Sequence, residues 1–200
     1  MMKRLIAGLF GASAILHAGF AHAAFPVLPK SQVMLPKSSH ISMRGSVYAP
    51  LGSLYFCKQN PNQCVTRSAR GITAHKGAIV LDAKSIATIN AINRSVNRSM
   101  RPLAERFGDR WEIGTRSGDC EDYALTKRDK LIRSGFPTSA VLMATATVPG
   151  MGEHAVLVVR TDAGDYVLDN LTDKVLPWKN TKLWFKTIQS PDNPKSWKQI

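Results

Sequence analysis

Three side chains in this sequence are of the types that thiol catalysis uses. Cys120 lies in Gly118-Asp119-Cys120-Glu121-Asp122-Tyr123-Ala124, His154 in Gly152-Glu153-His154-Ala155-Val156-Leu157, and Asp169 in Leu168-Asp169-Asn170. In such chemistry the thiolate attacks, and the imidazole takes the thiol proton and later returns it to the leaving group. The carboxylate fixes the imidazole tautomer and steadies its positive form. A lone cysteine more often packs as a small hydrophobe. The case for Cys120 therefore depends on its surroundings and on what brings the other two groups to it.

The surroundings cut both ways. Asp119, Glu121 and Asp122 crowd the thiol with negative charge, which raises its pKa and opposes ionisation. Acids at a helix start serve as cap and complement the macrodipole. They also suit Ca²⁺, a hard ion that takes oxygen ligands. A cation held by two or three of these carboxylates would cancel the local charge and fix the loop.

The chain has three cysteines. Cys57 and Cys64 flank Asn60-Pro61-Asn62, a strong turn signal, so the two sulfurs can meet in an oxidising compartment. Zinc is the competing reading, but no second Cys or His pair lies at ligand spacing. The disulfide is favoured, and it leaves Cys120 free.

Apolar residues at 81, 86, 89, 92 and 96 predict a helix from Leu81 to about Met100, with Asp82 as N-cap. A second helix starts at Asp119 and closes at Gly135, before Pro137. Cys120 then sits in its first turn, where free backbone amides can also hold an oxyanion. Beyond Pro137 the pattern turns to strands over 140–148, 154–160 and 165–169, with more expected at 175–178 and 183–188. A turn at Thr161-Asp162-Ala163-Gly164 makes a hairpin of the second and third. Its register sets His154 opposite a position near Leu171, two residues from Asp169. Helices followed by an antiparallel sheet read as an α+β fold, with the nucleophile helix packed on the sheet.

Lys3 and Arg4, an apolar run to Phe20 and the small-x-small Ala21-His22-Ala23 predict a signal peptide over 1–23, cleaved near Ala23; an uncleaved anchor is the alternative. Residues 24–50 read as an irregular N-terminal arm and 51–200 as the catalytic domain. The formal charge of +13 suggests nucleic acid at first sight, but the bases are scattered and no nucleic-acid motif appears. The charge fits acidic partners, such as an anionic envelope or an acidic protein, or else a solvated surface.

With these runs in this order, over roughly residues 51–198, the sequence resembles the bacterial transglutaminase-like cysteine proteinases, periplasmic proteins that include adhesin-releasing proteases. Phe56-Cys57, Pro61, Cys64, Asn90, Asn93, Val96-Asn97 and Lys127-Arg128 add to the match. The resemblance implies a papain-like, transglutaminase-type fold and proteolysis through Cys120, His154 and Asp169. It also implies calcium bound by Asp119 and Glu121, a surface adhesin as protein substrate, and a cyclic-di-GMP-responsive membrane receptor that sequesters the protease. Pro102-Leu103-Ala104-Glu105 departs from the pattern, lacking an Asp expected after the proline.

The expected function is an exported cysteine endopeptidase acting on envelope or surface proteins. The alternatives are an envelope amidase or acyl transferase on peptide or peptidoglycan, and a non-enzymatic envelope binding module of the same fold. The intact Cys, His and Asp set argues against the last. His40 and His75 are expected at the surface, and Trp178, Trp184 and Trp197 in the packing of the C-terminal strands. Trp111 is read as core, with the cleft wall as alternative. Asn97 is weighed as an oxyanion donor or cap, and Asn170 as an orienting neighbour of Asp169.

Overall fold

The computed structural model describes residues 34–104 and 108–200. The expected signal peptide, the first part of the arm and Glu105 lie outside the described residues. The described elements run β1 (Ser46–Val47), α1 (Leu51–Gln59), β2 (Ala74–His75), β3 (Ala78–Ile79), α2 (Ala83–Ser99), β4 (Arg101–Pro102), β5 (Ser117–Gly118), α3 (Cys120–Arg133), β6 (Val141–Val148), β7 (Gly152–Thr161), β8 (Gly164–Leu168), β9 (Leu176–Pro177), β10 (Trp184–Gln189) and β11 (Trp197–Gln199).

The apolar run Ala155-Val156-Leu157-Val158-Val159 explains the centre of the fold. A strand with both faces buried needs apolar residues at every position, not at alternate ones. Leu157 and Val159 face one core with Leu125, Leu131 and Phe136 of the α3 region. Val156 and Val158 face a second core with Leu142, Ile188 and Ile41 of the arm. β7 pairs antiparallel with β6 on one side and β8 on the other. β10, β11 and β1 extend the sheet beyond β6, and β3 joins β7 in parallel at Thr161. The architecture is the expected α+β arrangement, mostly antiparallel, with α3 against the sheet.

Both predicted helices are present. Asp82 caps α2 through a capping box, its side chain accepting from the Ser85 N–H and the Ser85 hydroxyl accepting from the Asp82 N–H. α3 ends at Arg133 with Ser134 as C-cap, and the following Gly135 has a φ of +97° that suits glycine, where a Cβ would collide with the Arg70 carbonyl. The disulfide joins Cys57 in α1 to Cys64, with Cα atoms 5.5 Å apart.

Some local expectations fail. α1 carries no helical stripe: Leu51, Leu54 and Tyr55 are exposed while Phe56 and Cys57 are buried, so periodicity had nothing to report. The strand expected at 175–178 shrinks to Leu176–Pro177, because Trp178–Asn180 turns into a 3-10 helix. Trp184 is 67% exposed and does not pack, whereas Trp197 is buried edge-on against Trp111. The described part of the arm is laid on the domain: the buried Asp165 carboxylate accepts the Ile41 N–H at 2.7 Å, and Tyr166 donates to the Pro36 carbonyl at 2.8 Å.

Candidate active site

Cys120 opens α3, His154 lies near the start of β7 and Asp169 follows the last residue of β8. The β7–β8 ladder has the register read from the turn: Leu157 pairs with Leu168 and Thr161 with Gly164. Past Leu168 the ladder ends, and the chain bends at Asp169, whose Oδ1 also accepts the Leu171 N–H at 3.0 Å. That bend lets the carboxylate reach back along β7, and His154 Nε2 lies 2.9 Å from Oδ1. Both side chains are buried. The next residue, Ala155, donates its N–H to Cys120 Sγ at 3.3 Å, which sets the sulfur beside His154. Cys120 and the His154–Asp169 pair thus share the region where the start of α3 meets the β7–β8 hairpin, and Cys120 and His154 line one cleft.

A cleft of about 400 Å³ opens over the sulfur, lined by Pro50, Trp111, Asp119, Glu121, Glu153 and His154 among others. Trp111 is therefore both a core residue and a cleft wall. Asp109 holds it through the indole N–H at 2.7 Å and accepts the Gly52 N–H of α1 at 3.1 Å. A Cβ at Gly52 would run into Trp111 and Asp109, so only glycine lets α1 approach. Further along, Asp122 accepts the Glu112 N–H and Thr126 the Gly114 N–H, at 2.8 and 2.9 Å, pinning that loop to α3. The sequence signal for Asp109 and Thr126 is weak, because the Gly52 and Gly114 amides they accept lie 57 and 12 residues away in the chain.

The electrostatics carry the strain expected of three acids. Burial, then the Glu121 charge, drives the Cys120 thiol far above its ordinary value. The thiol donates to Glu121 Oε2 at 3.1 Å. Burial raises Glu121 to about 8 and Asp122 to about 6, with the Asp119 charge adding to both. Asp169 goes the other way. Burial would raise it, but the His154 hydrogen bond and charge, the Leu171 N–H and the Lys127 charge outweigh that and leave it below the usual carboxylate range.

Asp119 occupies the N-cap position of α3, yet its side chain makes no capping bond, and its Oδ1 is buried without a partner. An unpartnered buried oxygen beside the Glu121 carboxylate is donor chemistry that fits a hard cation. Among the described residues, no cluster of three or more His, Cys, Asp or Glu side chains is set to hold a metal. The missing acid has a location. β4 runs parallel to β5, and the Leu103 N–H bonds the Gly118 carbonyl, so the position after Pro102 lies against the segment that leads into Cys120 and carries an exposed leucine.

Asn97 does not point to an oxyanion. Its Nδ2 donates to the Asp169 and Thr172 carbonyls, at 3.1 and 3.0 Å, and so holds the loop after β8. Asn170 keeps a buried Oδ1 with no partner and is not bonded to the Asp169 carboxylate. His40 is half-exposed beside Asp165, and His75 is exposed.

The chain shares 20% identity with calcium-bound LapG of Legionella pneumophila, over 52% of this chain and 64% of that one, with a TM-score of 0.48. EGTA-treated LapG of the same organism gives 19% identity, over 52% and 62%, with a TM-score of 0.45. The chain thus spans less than two thirds of those proteins. No curated protein sequence matches it. The profile described as bacterial transglutaminase-like cysteine proteinase (BTLCP) matches residues 43–200. That is most of the sequence, and the chain belongs to the bacterial transglutaminase-like cysteine proteinase family.

Proposed function

We propose that the chain is an exported cysteine endopeptidase that cuts envelope or surface proteins, with Cys120 as nucleophile, His154 as base and Asp169 as the acid that orients it. The observation that carries this reading is the His154 Nε2–Asp169 Oδ1 bond at 2.9 Å, beside a sulfur that accepts the Ala155 N–H at 3.3 Å. With Nε2 committed to Asp169, Nδ1 is the ring nitrogen left for the thiol.

The steps balance as an acyl transfer. His154 takes the Cys120 proton, and sulfur attacks the peptide carbonyl carbon. Free amides at the start of α3 are the donors available to the oxyanion. Collapse breaks the C–N bond, and the imidazolium gives its proton to the departing amine. Water, deprotonated by the same imidazole, then cleaves the thioester, releasing the acid and restoring the thiol. Asp119 and Glu121 would hold Ca²⁺, which when bound supplies positive charge against the acids around Cys120.

The Cys57–Cys64 disulfide supports an oxidising, extracytoplasmic location, in keeping with a signal peptide over 1–23. The reading extends to a surface adhesin as substrate and a membrane receptor as sequestering partner, both taken from the family resemblance. The test compares the proteins released from the cell surface by cells making the wild-type chain and cells making Cys120→Ala. Release of defined fragments by wild type alone is the expected result. Identical released sets would sink the proposal.

A further inference from the structure

Large apolar side chains gather on one exposed part of the surface. Leu51, Leu54 and Tyr55 stand at i, i+3 and i+4 of α1, so they share the face that this helix turns to solvent. They are 68%, 49% and 61% exposed, and Tyr48, just before the helix, is 99% exposed. The opposite face, with Phe56 and Cys57, is already buried in the main core. α1 is therefore apolar on both sides, a pattern that belongs to a helix covered all round. Single exposed apolar residues are ordinary, whereas four of them between Tyr48 and Tyr55 mark a surface that takes a partner.

The position of this face says what covers it. Pro50, between Tyr48 and Leu51, lines the cleft together with Cys120 and His154. Tyr55 and Phe56 line a neighbouring cavity of about 260 Å³ with Asp109 and Trp111, and those last two also line the cleft. Asp109 ties the two hollows together, accepting the Gly52 N–H of α1 and the Trp111 indole N–H. The surface of α1 thus continues the cleft past its Pro50 and Trp111 walls. The cleft itself, at about 400 Å³, has the size of a small-ligand pocket and holds only the residues next to the bond being cut. An extended chain advances about 3.3 Å per residue, so residues a few places from that bond must run over the adjoining surface, and on this side that surface is α1.

We propose that Tyr48, Leu51, Leu54 and Tyr55 form a substrate-docking surface, which takes apolar side chains of the polypeptide substrate beyond the residues that the cleft holds. The inference rests on the protease reading above and adds a determinant of which proteins are cut. Apolar side chains withdrawn from water on α1 strengthen the binding of an intact protein and do nothing for a peptide too short to reach it. The test uses the surface protein that wild-type cells release, its cut site located by mass spectrometry of the fragments. kcat/KM is measured in the presence of calcium on that protein and on a synthetic peptide reaching about three residues, or ~10 Å, to either side of the cut. In Leu51→Ser/Leu54→Ser/Tyr55→Ser protein the ratio of the first value to the second should fall about tenfold or more, through KM for the intact protein. A ratio at the wild-type value overturns the inference, whether both activities hold or both fall together. Should the triple variant not fold, Tyr48→Ser changes a side chain that is 99% exposed and is judged by the same ratio. If the ratio holds while the variant loses binding to phosphatidylglycerol vesicles, or loses a dimer in sedimentation, the face belongs to lipid or to a second copy, and the inference is wrong. The protease reading fails on a different result: the same proteins released by wild-type and Cys120→Ala cells.

Discussion

The Asp169 carboxylate accepts from His154 and from the Leu171 N–H, and a carboxamide would offer the imidazole one poorly oriented acceptor and no charge. Asp169→Asn should therefore lower kcat by about 10²–10⁴-fold, measured on a released surface protein as substrate. It should also change the acid response of the fold. The folded pKa of Asp169 is below its unfolded value, so its contribution is fully present above the ordinary carboxylate range and is lost as pH falls through the lower, folded value. Thermal melts from pH 6 to pH 2 should show a steeper acid limb for wild type than for Asp169→Asn; parallel limbs would contradict the assignment. The orphaned Asp119 oxygen makes a second residue-scale prediction. Calcium at about 100 times its Kd should stabilise the wild-type chain by about 2.7 kcal/mol, EGTA should reverse this, and Asp119→Asn should abolish the response. Melting curves that ignore calcium would leave Asp119 and Glu121 as helix-start acids only.

At the scale of elements, the disulfide ties the end of α1 to the turn that follows it. It closes a short loop, so reduction should cost only about 2 kcal/mol. The effect should nevertheless reach the cleft, because α1 holds Asp109 through Gly52 and Asp109 holds Trp111. The Cys57→Ser/Cys64→Ser protein should melt lower and show altered Trp111 fluorescence; an unchanged emission spectrum would separate α1 from the cleft wall. This is also the scale at which the sequence was least legible. α2 and α3 could be read because their signals are local: a capping box at Asp82 and Ser85, and a glycine stop at 135. The β7–β8 hairpin could be read because one turn determines its register, and that register carries His154 toward Asp169. α1 could not, since it buries one side of a helix without an apolar stripe and is held by Asp109, far along the chain. The same holds for Asn97, which reads as a cap candidate until the loop after β8 is folded onto it. Trp184 misleads for the opposite reason: its place in β10 is legible, but which face of that edge region meets solvent is a tertiary fact.

At the scale of the whole molecule, acids and bases are sorted. Glu121, Asp122, Asp129, Asp165 and Asp169 are buried, whereas Lys127 and Arg128 are the only buried lysine or arginine side chains among the described residues. The exterior is therefore more basic than the formal +13 alone conveys, a field that favours acidic partners. Asp165 shows what one buried acid does for the assembly of the fold. Its side chain is fully buried, and it receives Arg160 Nε and the second guanidinium nitrogen at 3.3 Å each, the Ile41 N–H at 2.7 Å and His40 Nδ1 at 3.3 Å. It thereby joins the hairpin to the arm, whose Ile41 closes the second core against Leu142, Val156 and Val158. Removing the carboxylate leaves the buried Ile41 N–H without an acceptor and the half-buried Arg160 guanidinium without its carboxylate, so Asp165→Ala should cost about 1–3 kcal/mol. Loss of the arm should precede global unfolding, because its described part is irregular except for the two-residue β1. Hydrogen exchange at Ile41 should accelerate in Asp165→Ala while amides in β6 and β7 stay protected. Equal acceleration in the arm and the central strands would mean that Asp165 supports the sheet as a whole and is not a latch for the arm.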